Sequence, residues 1–220
     1  MTVTSRKRPE LILASASPRR KELLSRLGYP FEILESGVPE DEPSGMTPRE
    51  VVQFLAALKA DAVAEKLECG TILAADSVID LDGQILGKPE DHADAILMLK
   101  KLGGRTHRVV TGVCLLACGR EMRSLFSVAT QVDMKAYSDE EISRYVDSGE
   151  PMDKAGAYAV QGLGGKLVAS VHGCYNNVVG LPLCEVVRHL ACFGLPLDTR
   201  RVYCTLPSGE PCPGAVIGDR

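Results

Sequence analysis

Apolar residues are spaced along this chain in two different ways. Leu11 to Ala14, Thr71 to Ala75 and Val109 to Ala117 are short runs dominated by apolar side chains at consecutive positions. That is the pattern of central strands covered on both faces. Phe31 to Glu35 and Val128 to Lys135 alternate apolar with polar, which predicts half-exposed or edge strands. Leu167 to Val171 is a further strand candidate.

Helical segments lie between these strands and carry clear start and stop signals. Thr47-Pro48-Arg49-Glu50 reads as a capping box with proline at the first helical position, and predicts a helix to about Glu68, stopped at Gly70. Ser138-Asp139-Glu140-Glu141 is a second capping box, with its helix ending by Gly149. Ser17-Pro18 opens a short helix ending by Gly28. His92 to Leu102 is stopped by Gly103-Gly104, and Pro182 to Phe193 by Gly194. Alternating strands and helices predict an α/β fold, a mixed sheet with helices on both faces. Residues 1–10 read as a loose polar arm, 11–197 as one domain, and 198–220 as an irregular tail.

Composition narrows the function. At 220 residues, 45% hydrophobic and 25% charged, the chain has the proportions of a soluble globular protein. It lacks an apolar run near the roughly 20 residues of a membrane span, and its first residues, MTVTSRKRPE, lack the apolar core of a secretory signal. Membrane partners are therefore not expected, and a cytoplasmic location is. The net charge of −4, with 5% aromatic residues and no tryptophan, argues against a nucleic-acid binder. Of the eight cysteines, Cys114, Cys118, Cys184 and Cys192 lie in apolar segments, where a thiol behaves as a small hydrophobe. There is no Cys-x-x-Cys pair, so the spacing argues against structural zinc and for reduced thiols.

The candidate chemistry sits where the local pattern is broken. After the strand at Leu11, Ser15-Ala16-Ser17-Pro18-Arg19-Arg20-Lys21 crowds cations into a helix N-terminus, which ordinarily attracts acids. Either a bound phosphate reverses the sign, or the arginines are solvated and pair with surface acids such as Glu22. Lys59 falls in the middle of its helix's apolar stripe, four residues from both Leu55 and Val63. It is either a snorkelling stem or an ammonium reaching a phosphate. Asp76 follows an apolar strand and should stand near its carboxyl end, where open α/β sheets bind ligands. It can hold a divalent metal or take a proton from water. A turn-forming aspartate is the alternative, although Asp80-Leu81-Asp82-Gly83 already supplies turn chemistry. That turn would return Lys88 towards Asp76. Gln161, in a glycine-rich stretch, can read a base edge. The histidines show no metal-ligand spacing, and neither a P-loop nor a nucleophile elbow is present.

In order, the segments SASPRR, AADSVI, LGKP, THRVVTGV, SGEPMDKAGAYAVQGLGG and NNVVGLPL closely resemble the Maf (septum-formation-inhibitor-like) family of nucleoside triphosphate pyrophosphatases, from about Leu11 to Leu195. The resemblance implies an inosine-triphosphatase-like fold, a mixed twisted sheet flanked by helices with a central cleft. It implies hydrolysis of a nucleoside triphosphate to monophosphate and pyrophosphate with Mg²⁺ or another divalent cation such as Mn²⁺, and suggests a homodimer. Carried over by position, Asp76 matches the proton acceptor and Glu40 an acidic position expected to help hold the metal, with Asp76 a second possible ligand. Lys59 and Lys88 match phosphate-facing lysines, and Ser15 and Arg20 the phosphate cradle. Arg19, Ser77 and Gln161 fall where base preference is set, and resemble the branch acting on dTTP and UTP. Ser77 stands where that branch commonly has threonine, and Cys174 replaces a common serine. The competing function is a nucleotide-sensing regulator of cell division that does not turn its ligand over.

Overall fold

The computed structural model describes residues 10–41, 43–119, 122–195, 197, 204–206, 209, 210 and 212. In chain order the elements are β1 (Leu11–Leu13), α1 (Pro18–Ser25), β2 (Glu32–Ile33), α2 (Pro48–Ala64), β3 (Gly70–Leu81), β4 (Gln84–Leu86), α3 (His92–Leu102), β5 (Thr106–Cys118), β6 (Met122–Met134), α4 (Asp139–Val146), β7 (Val168–His172), α5 (Tyr175–Val179) and α6 (Leu183–Cys192). Short 3₁₀ turns occupy Glu150–Asp153, Ala155–Ala157 and Gly164–Leu167. The strands form one mixed sheet in the order β2-β1-β3-β5-β6-β7, with β4 also pairing β3. β1 runs parallel to β2 and β3, and the other pairings are antiparallel.

Side chains alternate across the sheet and build two cores. Leu11, Leu13, Leu73 and Ala75 pack with Leu23 and Leu24 of α1 and Val186 and Leu190 of α6. Their neighbours Ile12, Ile72 and Ala74 pack on the other face with Ala56, Ala60 and Val63 of α2. Further along β3, Ile79 and Leu81 join α3 and α4 in a separate apolar cluster. Helices therefore cover both faces, as the alternating pattern predicts.

Several boundaries differ from the sequence reading. Both capping boxes form, at Thr47 and Ser138. However, α2 stops at Ala64, short of Glu68, because the Lys66 and Leu67 amides tighten onto the carbonyls of Val63 and Ala64. β3 is much longer than Thr71 to Ala75. Asp76 is thus a mid-strand residue opposite Gly112, not one at a strand end. Its pairing explains why. β5 flanks one edge of β3 from Gly70 to Asp80, whereas the other edge is shared by β1 up to Leu73 and by β4 from Ile79. The interval between the end of β1 and β4 leaves a gap in the sheet beside Asp76 and Ser77. The strand that ends there is β1, so the rule that ligands bind past carboxyl ends holds through the neighbour.

The polar arm lies outside the described residues, apart from Glu10, as do most of the tail positions. The described part of the tail is irregular but packed: Cys204 and Cys212 are fully buried. No helix among the described residues is long and apolar enough to cross a membrane.

Candidate active site

The gap in the sheet opens into a cleft of about 740 Å³, and every candidate residue singled out from the sequence lines it. Alternation along β3 divides these residues between two walls.

One wall belongs to α2 and the Asp76 face of β3. Lys59 is buried at 4% exposure, in mid-stripe as helical spacing predicts. Its ammonium donates to Asp76 Oδ1 and to Glu40 Oε1, each at 2.6 Å. The snorkelling alternative is thereby excluded. Lys88 donates to Glu40 Oε2 at 3.2 Å. The Asp82-Gly83 hairpin does return it to the cleft, but onto Glu40 rather than Asp76. Burial would raise the Glu40 carboxyl; the hydrogen bonds and charges of Lys59 and Lys88 outweigh this and pull it down to about 2. Glu40 is therefore a carboxylate at neutral pH.

What sets Lys59 at this depth is a glycine. Gly112 of β5 lies opposite Asp76, and a β-carbon there would stand 2.3 Å from the carbonyl oxygen of Val52. Only a residue without a side chain lets α2 ride this close to the sheet.

The other wall belongs to α1 and the Ser77 face of β3. Ser17 caps α1, its hydroxyl accepting from the Arg20 amide at 3.4 Å, with proline at the first position and no acid in the first turn. The Arg20 guanidinium donates from Nε to the Gly180 carbonyl at 2.9 Å. Its terminal nitrogens reach Ser15 Oγ at 3.4 Å and Ser77 Oγ at 3.1 Å. Ser77 is in turn bonded to Thr111 at 2.9 Å. Every one of these acceptors is a neutral oxygen. Burial lowers the pKa of the Arg20 guanidinium, while the more distant charges of Asp76 and Glu40 support it. A cation partly withdrawn from water and resting only on neutral acceptors can receive an anion.

The cleft is closed on a third side by the loop after α4. Glu150 staples it, accepting from the amides of Leu163 and Gly164 at 3.0 and 2.9 Å and from the Tyr145 hydroxyl at 3.0 Å. This holds half-buried Gln161 at the cleft. Arg19 faces Asp153 at 3.5 Å, not Glu22, which pairs with Arg26.

Sequence reasoning missed Asp153, Thr111 and the Gly180 carbonyl as members of this site. Thr111 and Gly180 lie within the quoted THRVVTGV and NNVVGLPL segments, which carried the signal without the roles. No histidine lines the cleft among the described residues. His107 is buried against the Tyr158 hydroxyl at 2.8 Å, and burial pulls it down to about 4.

A family model described as "Maf-like protein" matches residues 10–193. The chain belongs to the Maf-like family. Among curated relatives, this Maf-like chain is 46% identical over 185 residues to the dTTP/UTP pyrophosphatase of Pelotomaculum thermopropionicum, covering 84% of the chain and 97% of that protein. It is 47% identical over 184 residues to the dTTP/UTP pyrophosphatase of Geobacter metallireducens, covering 84% and 96%. Among solved structures, a HAM1 protein from Coxiella burnetii aligns at 19% identity and a TM-score of 0.41, over 68% of this Maf-like chain and 86% of that one. That likeness is too loose to add to the assignment.

Proposed function

We propose that this chain is a nucleoside triphosphate pyrophosphatase hydrolysing dTTP and UTP, and related modified pyrimidine nucleotides, to the monophosphate and pyrophosphate. The similarity to dTTP/UTP pyrophosphatases over nearly their whole length supports the substrate class. The observation that carries the chemistry is the pair of walls: a desolvated Arg20 bonded only to neutral oxygens, facing a carboxylate pair pinned by Lys59.

Cleaving a triphosphate calls chiefly for charge neutralisation and an aligned nucleophile. In this reading Arg20 and Ser15 hold the phosphates, joined by Lys88 as it turns from Glu40 to the incoming anion. Lys59 fixes Asp76 through one carboxylate oxygen. The other oxygen orients a water and takes its proton as the water oxygen bonds to the α-phosphorus. The bond from that phosphorus to the bridging oxygen breaks, and pyrophosphate leaves with the electron pair. Arg19 and Gln161 face the nucleoside end and read the base, while Ser77 holds the Arg20 guanidinium in place for the phosphates.

Mg²⁺ or Mn²⁺ fits the donor set. The Lys59 ammonium holds Glu40 and Asp76 side by side at 2.6 Å each, so the two carboxylates would reach one cation through their remaining oxygens once Lys88 turns from Glu40. A bound divalent cation would supply further charge neutralisation and a more acidic water.

The test is direct. The full chain with Mg²⁺ should release pyrophosphate from dTTP and UTP, and a chelator should stop it. No release across ordinary and modified pyrimidine triphosphates overturns the proposal, and tight nucleotide binding without product would favour the nucleotide-sensing regulator.

A further inference from the structure

Away from the cleft, four cysteines meet. The sulfurs of Cys174, Cys184, Cys204 and Cys212 all lie within 4.8 Å of one another, and all four residues are buried. They arrive from separate parts of the chain. Cys174 caps the start of α5, Cys184 is the second residue of α6, and Cys204 and Cys212 bracket a loop in the tail. The loop is closed on itself: the Cys212 amide donates to the Cys204 carbonyl at 3.0 Å, and the Leu206 amide to the Glu210 carbonyl at 2.7 Å. Val128 and Leu206 pack over the group. None of the four lines the nucleotide cleft.

The distances distinguish three uses of such thiols. Cys174 and Cys204 sulfurs are 3.6 Å apart, and those of Cys184 and Cys212 are 3.5 Å apart. A disulfide requires about 2.05 Å. Four sulfurs bound to one zinc at about 2.3 Å would lie about 3.8 Å from each other by tetrahedral geometry. Plain apolar packing explains one buried cysteine, but not four that turn their sulfurs to a common centre.

We infer that Cys174, Cys184, Cys204 and Cys212 form a structural tetrathiolate site for Zn²⁺, fastening the C-terminal loop to α5 and α6. Binding exchanges four S–H bonds for four Zn–S bonds and releases four protons; zinc stays divalent, and neither oxidant nor reductant is needed. The set is closed, with four protein ligands and no carboxylate, which suits a structural ion. The spacing argument against zinc fails because it looks for pairs two to four residues apart. Here 9, 19 and 7 residues separate successive ligands, and the fold, not a local knuckle, brings them together. Two of the ligands flank the stretch whose Gly180 carbonyl holds Arg20, so the ion would also brace one wall of the cleft.

The experiment uses the full chain, expressed in zinc-supplemented medium and purified without chelator. Elemental analysis should find one zinc per chain. Replacement by Co²⁺ should give the intense visible bands of tetrahedral thiolate coordination together with sulfur-to-cobalt charge transfer. The Cys204→Ser/Cys212→Ser double variant should lose the metal, while Cys69→Ser/Cys192→Ser, altering two exposed cysteines outside the cluster, should keep it. Should the double variant not fold, the cobalt spectrum of the unaltered chain still decides. Wild-type protein without bound zinc and without the tetrahedral cobalt spectrum, whether its four thiols titrate as free or are joined in disulfides by mass, would overturn the inference.

Discussion

The two walls of the cleft handle positive charge in opposite ways. On the α2 wall the cations are already answered: Lys59 lies between Asp76 and Glu40, and Lys88 against Glu40. On the α1 wall Arg20 donates to a carbonyl and two hydroxyls. The first arrangement is stable without a ligand and holds carboxylates in fixed positions. The second desolvates a cation against neutral oxygens, an arrangement completed by a bound anion. Placed across a gap in the sheet, they would divide the work of the proposed reaction: one wall fixing the groups that handle water and metal, the other receiving phosphate.

Breaking the first wall should have the largest consequence. Asp76→Asn should reduce pyrophosphate release by about 10²–10⁴-fold, the usual contribution of a positioned proton acceptor, while nucleotide binding persists. Steady-state kinetics alongside equilibrium binding would separate the two.

Lys59→Met should come next, and should affect stability as well as turnover. Lys59 and Asp76 are both nearly inaccessible, so removing the ammonium strands a buried carboxylate. A loss on the order of 3 kcal/mol, read from urea unfolding, is expected for a broken buried pair. If the midpoint does not move, the lysine is not the wall's keystone.

Gly112→Ala tests the same wall from behind. The new methyl meets the Val52 backbone and must push α2 outward, at about 1–3 kcal/mol. Activity should fall with it because Lys59 moves too, and a thermal melt with an activity assay would report both.

The smallest effect is on pH dependence. Glu40 is depressed to about 2 in the folded chain, mainly by Lys59 against the opposing effect of burial. Its contribution to stability is therefore fully present above its ordinary pKa of 4.5 and is lost as pH falls through the folded value. Unfolding midpoints between pH 5 and 2 should fall less steeply in Glu40→Gln, by a modest amount because the side chain is half exposed.

The cleft was legible in the sequence because its residues disobey the local pattern. A lysine in an apolar stripe, an aspartate in an apolar strand and arginines at a helix start each call for a partner that the neighbouring sequence does not supply. The strand and helix order was legible for the complementary reason, since capping boxes and apolar periods are short-range signals. The full length of β3 was hidden because Asp76, Ser77 and Asp80 interrupt its apolar run, and only the pairing with β5 carries the strand through them. The cysteine cluster was hidden most completely. Each cysteine taken alone obeys the rule for small buried side chains, and their convergence depends on contacts up to 38 residues apart in sequence.

Binding of a non-hydrolysable dTTP analogue and of thymidine, measured by calorimetry on the wild type and on Arg20→Met, most directly tests whether the α1 wall exists to receive polyphosphate. The account predicts that the substitution weakens the triphosphate by about 10–100-fold, the worth of a charge-assisted contact, and leaves the nucleoside unchanged. Equal losses for both ligands, or undiminished affinity for the triphosphate, would contradict it.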